Sequence, residues 1–264
     1  NMVRSAKQLI RQGDMFQCVL SQRFSSDISG NPFDYYRNLR VTNPSNYLYF
    51  YDFEDYQIIG ASPESLVSVK DGIVTTNPIA GTRPRGNDDE EDQRLAADLS
   101  TDTKEVAEHR MLVDLGRNDI GRIAQIGTVE VTKYMEVEYF RYVMHLTSIV
   151  KGQLLENLTV LDALKATLPA GTVSGAPKIR AMQRIYELEK EKRGIYAGAI
   201  GYLSATGDMD FAIAIRTMVV KNGKAYVQAG AGIVYDSVPE NEYQETLNKA
   251  KAMTKIGECY DSFN

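Results

Sequence analysis

Phe211-Ala212-Ile213-Ala214-Ile215-Arg216-Thr217-Met218-Val219-Val220, Lys221-Asn222-Gly223-Lys224 and Ala225-Tyr226-Val227-Gln228-Ala229 form the stretch on which the fold turns. Two apolar, β-rich runs flank an Asn-Gly pair, and a two-residue hairpin needs positive φ at both central positions, which Asn and Gly tolerate. Just upstream, residues 197–204 read as another strand, closed by the turn Thr206-Gly207-Asp208. The spacing predicts an antiparallel meander over 197–204, 211–220 and 225–229.

Working outward, residues 3–12 read as an amphipathic helix stopped by Gly13. Strands are expected at 16–24, 47–61, 66–69 and 73–77, with Asp71-Gly72 as a tight turn. Residues 32–41 form a helix with Pro32 in its first turn. Residues 88–99 are acidic and helical, and Asp102 caps a second helix running to about 115. Residues 139–150 are β-rich, 159–167 and 176–192 helical, and 239–260 a long final helix. Without strict βαβ alternation, this mixture predicts an α+β fold, with antiparallel sheets and helices outside.

The chain has 264 residues, 43% of them hydrophobic, enough for a substantial core. A net charge of -5 argues against nucleic acid as a partner. Its two cysteines, Cys18 and Cys259, lack metal-type spacing and fit a reducing, cytoplasmic compartment. No apolar run approaches the roughly 20 residues of a membrane span, and the basic, amphipathic first dozen residues do not read as a signal peptide. Methionine is second rather than first, which suggests a fragment of a longer protein.

Lys104-Glu105-Val106-Ala107-Glu108-His109 and Glu242-Tyr243-Gln244-Glu245-Thr246 each carry two carboxylates at helical i, i+3 spacing. Facing one another, such helices would gather four carboxylates that need a cation, and oxygen-only ligands suit Mg²⁺. Taken singly, each pair is more often a solvated helix face than a metal site, and Glu245 can simply pair with Lys249. Three glycine-bearing loops follow strands or precede a helix: residues 79–86, 171–178 and 229–233. Close backbone approach to an anion is one reading and ordinary turns are the other. None is a P-loop or a GxGxxG. Arg216, in an apolar strand, is either solvated at a strand end or a planar fork for a carboxylate. Tyr202 and His145 read as core residues or as ligand and catalytic groups, and Glu64 as helix-start charge or a further site carboxylate.

Together these segments resemble the chorismate-utilising enzyme family, and within it the anthranilate synthase branch. The matching stretches run in order through nearly the whole chain: 13–24, 61–64, 78–86, 104–119, 143–145, 169–178 and 228–245. The resemblance implies one chorismate-binding catalytic domain over 1–264, folded as an antiparallel β-sandwich with outer helices, without the family's N-terminal regulatory segment. It implies amination of chorismate at ring carbon 2 with loss of the 4-hydroxyl, then elimination of pyruvate to leave anthranilate, as the first step of tryptophan biosynthesis. By motif position, Glu108 and Glu245 would ligate Mg²⁺ directly, and Glu105 and Glu242 through water. Arg216, Tyr202 and the backbone of Gly230, Ala231 and Gly232 would hold the enolpyruvyl carboxylate. Gly81, Thr82 and Thr172 would line the pocket, with Lys249 near the metal and carboxylate. Glu64 would be the general acid for the leaving hydroxyl, and His145 would act in the second step. Water-adding members carry lysine where this chain has Gln17, and aminodeoxychorismate synthases carry lysine where it has Ala80. Both positions favour ammonia attack. A glutamine amidotransferase subunit would supply that ammonia. The alternatives are an aminodeoxychorismate synthase component, or a chorismate-binding domain without turnover.

Overall fold

The computed structural model describes residues 1–258, so Cys259 and the end of the predicted 239–260 helix lie outside the described residues. In chain order the elements begin α1 (Met2–Arg11), β1 (Gln17–Asp27), α2 (Pro32–Thr42), β2 (Tyr47–Asp52), β3 (Gln57–Ser62), β4 (Ser65–Lys70), β5 (Ile73–Thr76) and β6 (Ile79–Pro84). Next come α3 (Asp89–Thr101), α4 (Thr103–Gly121), β7 (Glu130–Tyr139), β8 (Val143–Gln153) and α5 (Val160–Thr167). After a 3-10 turn at Gly171–Val173 follow β9 (Gly175–Ala176), α6 (Lys178–Leu188), β10 (Ala199–Leu203), β11 (Met209–Ile213), β12 (Thr217–Lys221), β13 (Lys224–Ile233) and α7 (Pro239–Glu258). None of the described helices is long and apolar enough to cross a membrane.

The chain divides into two compact units. Unit 1 comprises 1–64, 172–200 and 212–264, and is built on a six-stranded sheet ordered β2-β3-β12-β13-β1-β9. The Asn222-Gly223 hairpin is present, with φ of 51° and 70°, and joins β12 to β13 in antiparallel register. α2 and α7 bury Leu39, Ala250 and Met253 against Ile59, Met218, Val220 and Val227. α1 and α6 bury Ala6 and Ile185 against Cys18, Leu20 and Ile233. Each fully buried aliphatic side chain contributes roughly 1.5–3 kcal/mol.

Unit 2 comprises 65–171 and 201–211. Its sheet has seven strands in the order β10-β11-β4-β5-β8-β6, with β7 also pairing with β8. The Asp71-Gly72 turn closes β4 onto β5 at φ of 51° and 77°. Leu99 of α3 packs on Met144 and Leu146 of β8, all fully buried. The pairs β1–β13 and β2–β3 in unit 1, and β5–β8 and β7–β8 in unit 2, are all antiparallel, so the α+β class with antiparallel sheets is as expected.

Several expectations need correction. Residues 47–61 are not one strand but the hairpin β2–β3, turned at Phe53–Tyr56, where Glu54 has φ of 64°. The predicted strand 211–220 breaks at Arg216, whose φ is 49°. The break separates β11, in the seven-stranded sheet, from β12, in the six-stranded one, so the three runs are not one meander. Two glycine-bearing stretches read as loops are largely strand. Residues 79–84 are β6, with a register shift between Ala80 and Arg83, and 229–233 end β13. Residues 171–178 hold the 3-10 turn and β9 before α6 begins at Lys178, two residues later than predicted. α4 runs on to Gly121 and β7 precedes the predicted β-rich stretch.

Candidate active site

In unit 1 the chemistry gathers on two adjoining backbone segments. Glu64 follows β3 across Pro63, in a turn pinned to the end of β11. The Ser62 hydroxyl donates to the Ile213 carbonyl at 2.7 Å and the Ile213 N–H donates to the Glu64 carbonyl at 3.0 Å. Nearby, the Ala61 N–H donates to the Arg216 carbonyl at 3.1 Å. One pair of segments thus carries both Glu64 and Arg216.

The Glu64 carboxyl accepts from the Thr172 hydroxyl at 2.8 Å. Burial pushes its pKa up to about 7, while the Thr172 bond and the Lys249 charge pull the other way. Near neutrality the Glu64 carboxyl is therefore part protonated, in the range where a carboxyl can give up or take a proton. Lys249 of α7 donates to the Gly230 carbonyl at 3.0 Å and pairs with Glu245 at 2.6 Å.

Arg216 shows the opposite imbalance. It is a non-glycine residue at φ 49°, a conformation costing about 1–2 kcal/mol. Burial lowers its pKa, and among the described residues its guanidinium has no partner. A half-buried, unpaired planar cation at a strained position is arranged for an anion, and a carboxylate fits its fork.

The glycines of β13 have a steric reason. A Cβ at Gly230 would lie 2.5 Å from the Tyr196 hydroxyl, and one at Gly232 would lie 2.7 Å from the Gln17 amide nitrogen. The Ala231 side chain is buried, and the register sets Gly230, Ala231 and Gly232 opposite Ser21, Leu20 and Val19 of β1. The β12 partner leaves at Met218–Val227, so β13 continues past it.

In unit 2, His145 on β8 holds its Nδ1 2.9 Å from the Gly81 carbonyl and 3.1 Å from the Thr82 hydroxyl. A carbonyl can only accept, so Nδ1 carries a proton and donates to it. The β6 irregularity at Gly81 and Thr82 makes this possible, a common use of bulges beside sites. Gly81 sits at φ 71°, where a Cβ would meet Leu99 at 2.8 Å and the Glu105 carboxylate at 3.3 Å. Tyr202 of β10 is 63% exposed, so it is not the core tyrosine that its apolar neighbours suggest. His109 is fully buried, with Nε2 2.6 Å from the Ser148 hydroxyl, and burial lowers its pKa to about 4.

Asp102 caps α4 by accepting from Lys104 and Glu105 N–H at 3.0 and 3.1 Å. Arg83 bonds Asp102 at 2.9 Å and Asp98 at 2.7 Å, and stands 4.0 Å from Glu105. Glu105 has its pKa raised by burial, then by the charges of Glu108 and Asp102. Crowded carboxylates of this kind fit a hard divalent cation with oxygen ligands and water. Among the described residues no group of three or more His, Cys, Asp or Glu gathers as a metal cluster. Glu105 and Glu108 share one face of α4, and Glu242 and Glu245 one face of α7.

Three contributors escaped the sequence reading. Tyr196 is half-buried, with its phenol pushed up to about 12 mainly by desolvation, and it senses the Glu64 charge. Glu189 and Arg193 form a buried pair beside the Thr172 turn. Their i, i+4 spacing was visible, but such pairs are usually surface decoration.

Two adjoining segments thus carry a carboxyl with a raised pKa and a half-buried guanidinium that has no partner among the described residues. The sequence matches the chorismate binding enzyme family over residues 1–255, and the chain belongs to that family. It is 65% identical over 256 residues to anthranilate synthase component 1 of Lactococcus lactis subsp. lactis (strain IL1403), covering 97% of this chain and 56% of the relative. The same protein of Aquifex aeolicus (strain VF5) is 58% identical over 255 residues, covering 97% and 52%. Among solved structures, anthranilate synthase component I from Streptococcus pneumoniae TIGR4 matches with a TM-score of 0.90 at 79% identity, covering 96% of this chain and 56% of that chain. The menaquinone-specific isochorismate synthase from Escherichia coli matches at a TM-score of 0.86 and 28% identity, covering 97% and 59%. The chain spans about half the length of the curated relatives it matches.

Proposed function

We propose that the chain is the chorismate-converting part of an anthranilate synthase, making anthranilate and pyruvate from chorismate and ammonia in tryptophan biosynthesis. The observation that carries the reading is Glu64: a carboxyl held protonated near pH 7 by burial, with Thr172 donating to it. A hydroxyl leaves poorly unless protonated, and Glu64 would donate that proton to the 4-hydroxyl of chorismate as ammonia adds at carbon 2. Arg216, with Tyr202 and the backbone of Gly230 to Gly232, would hold the enolpyruvyl carboxylate. Gly81, Thr82 and Thr172 would line the ring. His145, with Nδ1 donating to the Gly81 carbonyl, would act in pyruvate elimination.

Gln17 is buried in β1 and is an amide, so it cannot deprotonate a water for isochorismate formation. Ala80 offers no amine for a covalent ring adduct, which disfavours aminodeoxychorismate formation. Mg²⁺, when bound, would supply positive charge for the ring carboxylate, held by Glu108 and Glu245 directly and by Glu105 and Glu242 through water. The relatives' name, component 1, supports a second component, and a glutamine amidotransferase would deliver the ammonia. The setting is the cytoplasm, in keeping with the few cysteines and the buried, unreactive Cys18 thiol.

The test mixes folded protein with chorismate, Mg²⁺ and excess ammonium near pH 7, where Glu64 still carries its proton in part, and separates the products by chromatography. Anthranilate supports the proposal. Aminodeoxychorismate, isochorismate or no product refutes it. Calorimetric binding of chorismate without turnover would select a binding domain instead.

A further inference from the structure

We propose that Glu189 and Arg193 form a positioning clamp that holds the Thr172 hydroxyl against the Glu64 carboxyl, although neither residue touches Glu64. The inference rests on Glu64 being the acid of the proposed reaction. Residues 174–176 are already fixed by the sheet: the Val19 N–H donates to the Ser174 carbonyl and the Phe16 N–H to the Ala176 carbonyl, each at 2.8 Å. Thr172 and Val173 lie upstream of that ladder, in the 3-10 turn. Arg193 reaches them. One terminal nitrogen donates to the Val173 carbonyl at 2.6 Å and the other to the Val19 carbonyl at 2.7 Å. A single planar guanidinium thus ties the turn that carries Thr172 to strand β1.

Glu189 holds the guanidinium in that pose. Its carboxylate accepts from Arg193 Nε at 2.9 Å and Nη2 at 2.7 Å, and from the Ser21 N–H and hydroxyl at 2.7 and 2.8 Å. The Arg193 and Glu189 side chains are only 16% and 6% exposed. Removing either leaves a buried charge without its partner, whereas an exposed i, i+4 pair could be lost at little cost. Glu189 is the C-cap of α6 and Arg193 lies four residues beyond it, so the pair is not formed within the helix.

The consequence falls on Glu64, which is faced by Thr172 from the turn, Lys249 from α7 and Tyr196 from the segment before β10. Thr172 donates to the ionised carboxylate and so favours it. A loosened clamp withdraws that donation while burial and Lys249 remain, and Glu64 then holds its proton to higher pH.

The experiment compares wild type, Arg193→Lys and Thr172→Val. Lysine keeps the charge but loses the fork. Two readouts are followed against pH: the alkaline limb of ammonium-dependent anthranilate formation, and the infrared band of the protonated Glu64 carboxyl, identified by its loss in Glu64→Gln. Arg193→Lys is expected to move both upward by roughly 0.5–1 pH unit, as Thr172→Val does, the worth of one hydrogen bond. It should lower kcat about tenfold while KM for chorismate stays within about threefold. A wild-type titration of Glu64 in Arg193→Lys, whatever its thermal stability, overturns the proposal. If Arg193→Lys does not fold, Glu189→Asp is read in the same way, and failure of both to fold overturns it by making the pair a folding element alone. If wild type makes no anthranilate, the reading of the function fails, while the infrared titration still decides the clamp.

Discussion

Glu64 in unit 1 and Glu105 in unit 2 both have raised pKa values with burial as the leading cause, yet they are prepared for different work. Around Glu64 the neighbours oppose the shift: Thr172 donates to it and Lys249 attracts its charged form. Burial wins, and the carboxyl stores a proton. Around Glu105 the next causes are the negative charges of Glu108 and Asp102, only partly offset by Arg83 and Lys104. That shift would be relieved by any added cation. One direction of shift therefore has two different settings, and the second cause tells them apart.

The largest effect expected from this contrast is Glu64→Gln. Loss of a general acid should cut ammonium-dependent turnover by about 10²–10⁴-fold with chorismate affinity retained, measured as kcat and a calorimetric Kd. A fall in affinity with kcat intact would erase the distinction. Arg216→Met comes next. It should weaken chorismate binding by about ten- to a hundredfold, the worth of hydrogen bonds to a charged group, without lowering the melting temperature, because it removes a half-buried charge that has no partner among the described residues. On the α4 side, Mg²⁺ with chorismate should raise the wild-type melting temperature, Glu108→Gln should remove most of that rise and Glu64→Gln should keep it; melting curves against Mg²⁺ concentration check this.

The smallest effects are on stability against pH, and they carry opposite signs. Folded Glu64 binds its proton more tightly than the unfolded chain does. Its stabilising contribution is full below about 4.5 and is lost as pH rises through about 7. Folded His109 resists protonation, so its contribution is full above 6.5 and is lost as pH falls toward about 4. Denaturant titrations should show Glu64→Gln flattening the alkaline slope and His109→Gln the acid one, each by about 1–3 kcal/mol.

Much of the fold could be read where local chemistry and tertiary structure agree. Asn222-Gly223 and Asp71-Gly72 made their hairpins, and Asp102 capped α4, because each requirement is met within a few residues. The failures share one cause. The run from Phe211 to Val220 is almost uniformly apolar, and only Arg216's left-handed backbone, held through Ala61, shows that it changes sheets. The glycines of β13 looked like a loop because their reason lies in Tyr196 and Gln17, distant in sequence. β7 went unread because its alternation is interrupted at Met135, where φ is 53° and the register shifts. For the site, residue patterns left Arg216 open between solvent and a carboxylate. Its half-burial without a partner favours the carboxylate. Glu64 had no local signal beyond a helix-start charge, and the family resemblance supplied its role.

The most direct measurement is a carbon-13 NMR titration of the Glu64 carboxyl in the wild-type chain between pH 4 and 9, assigned with Glu64→Gln. The account predicts a midpoint near 7. A midpoint at the ordinary glutamate value, near 4.5, would mean that the group is ionised at working pH and cannot be the proton donor.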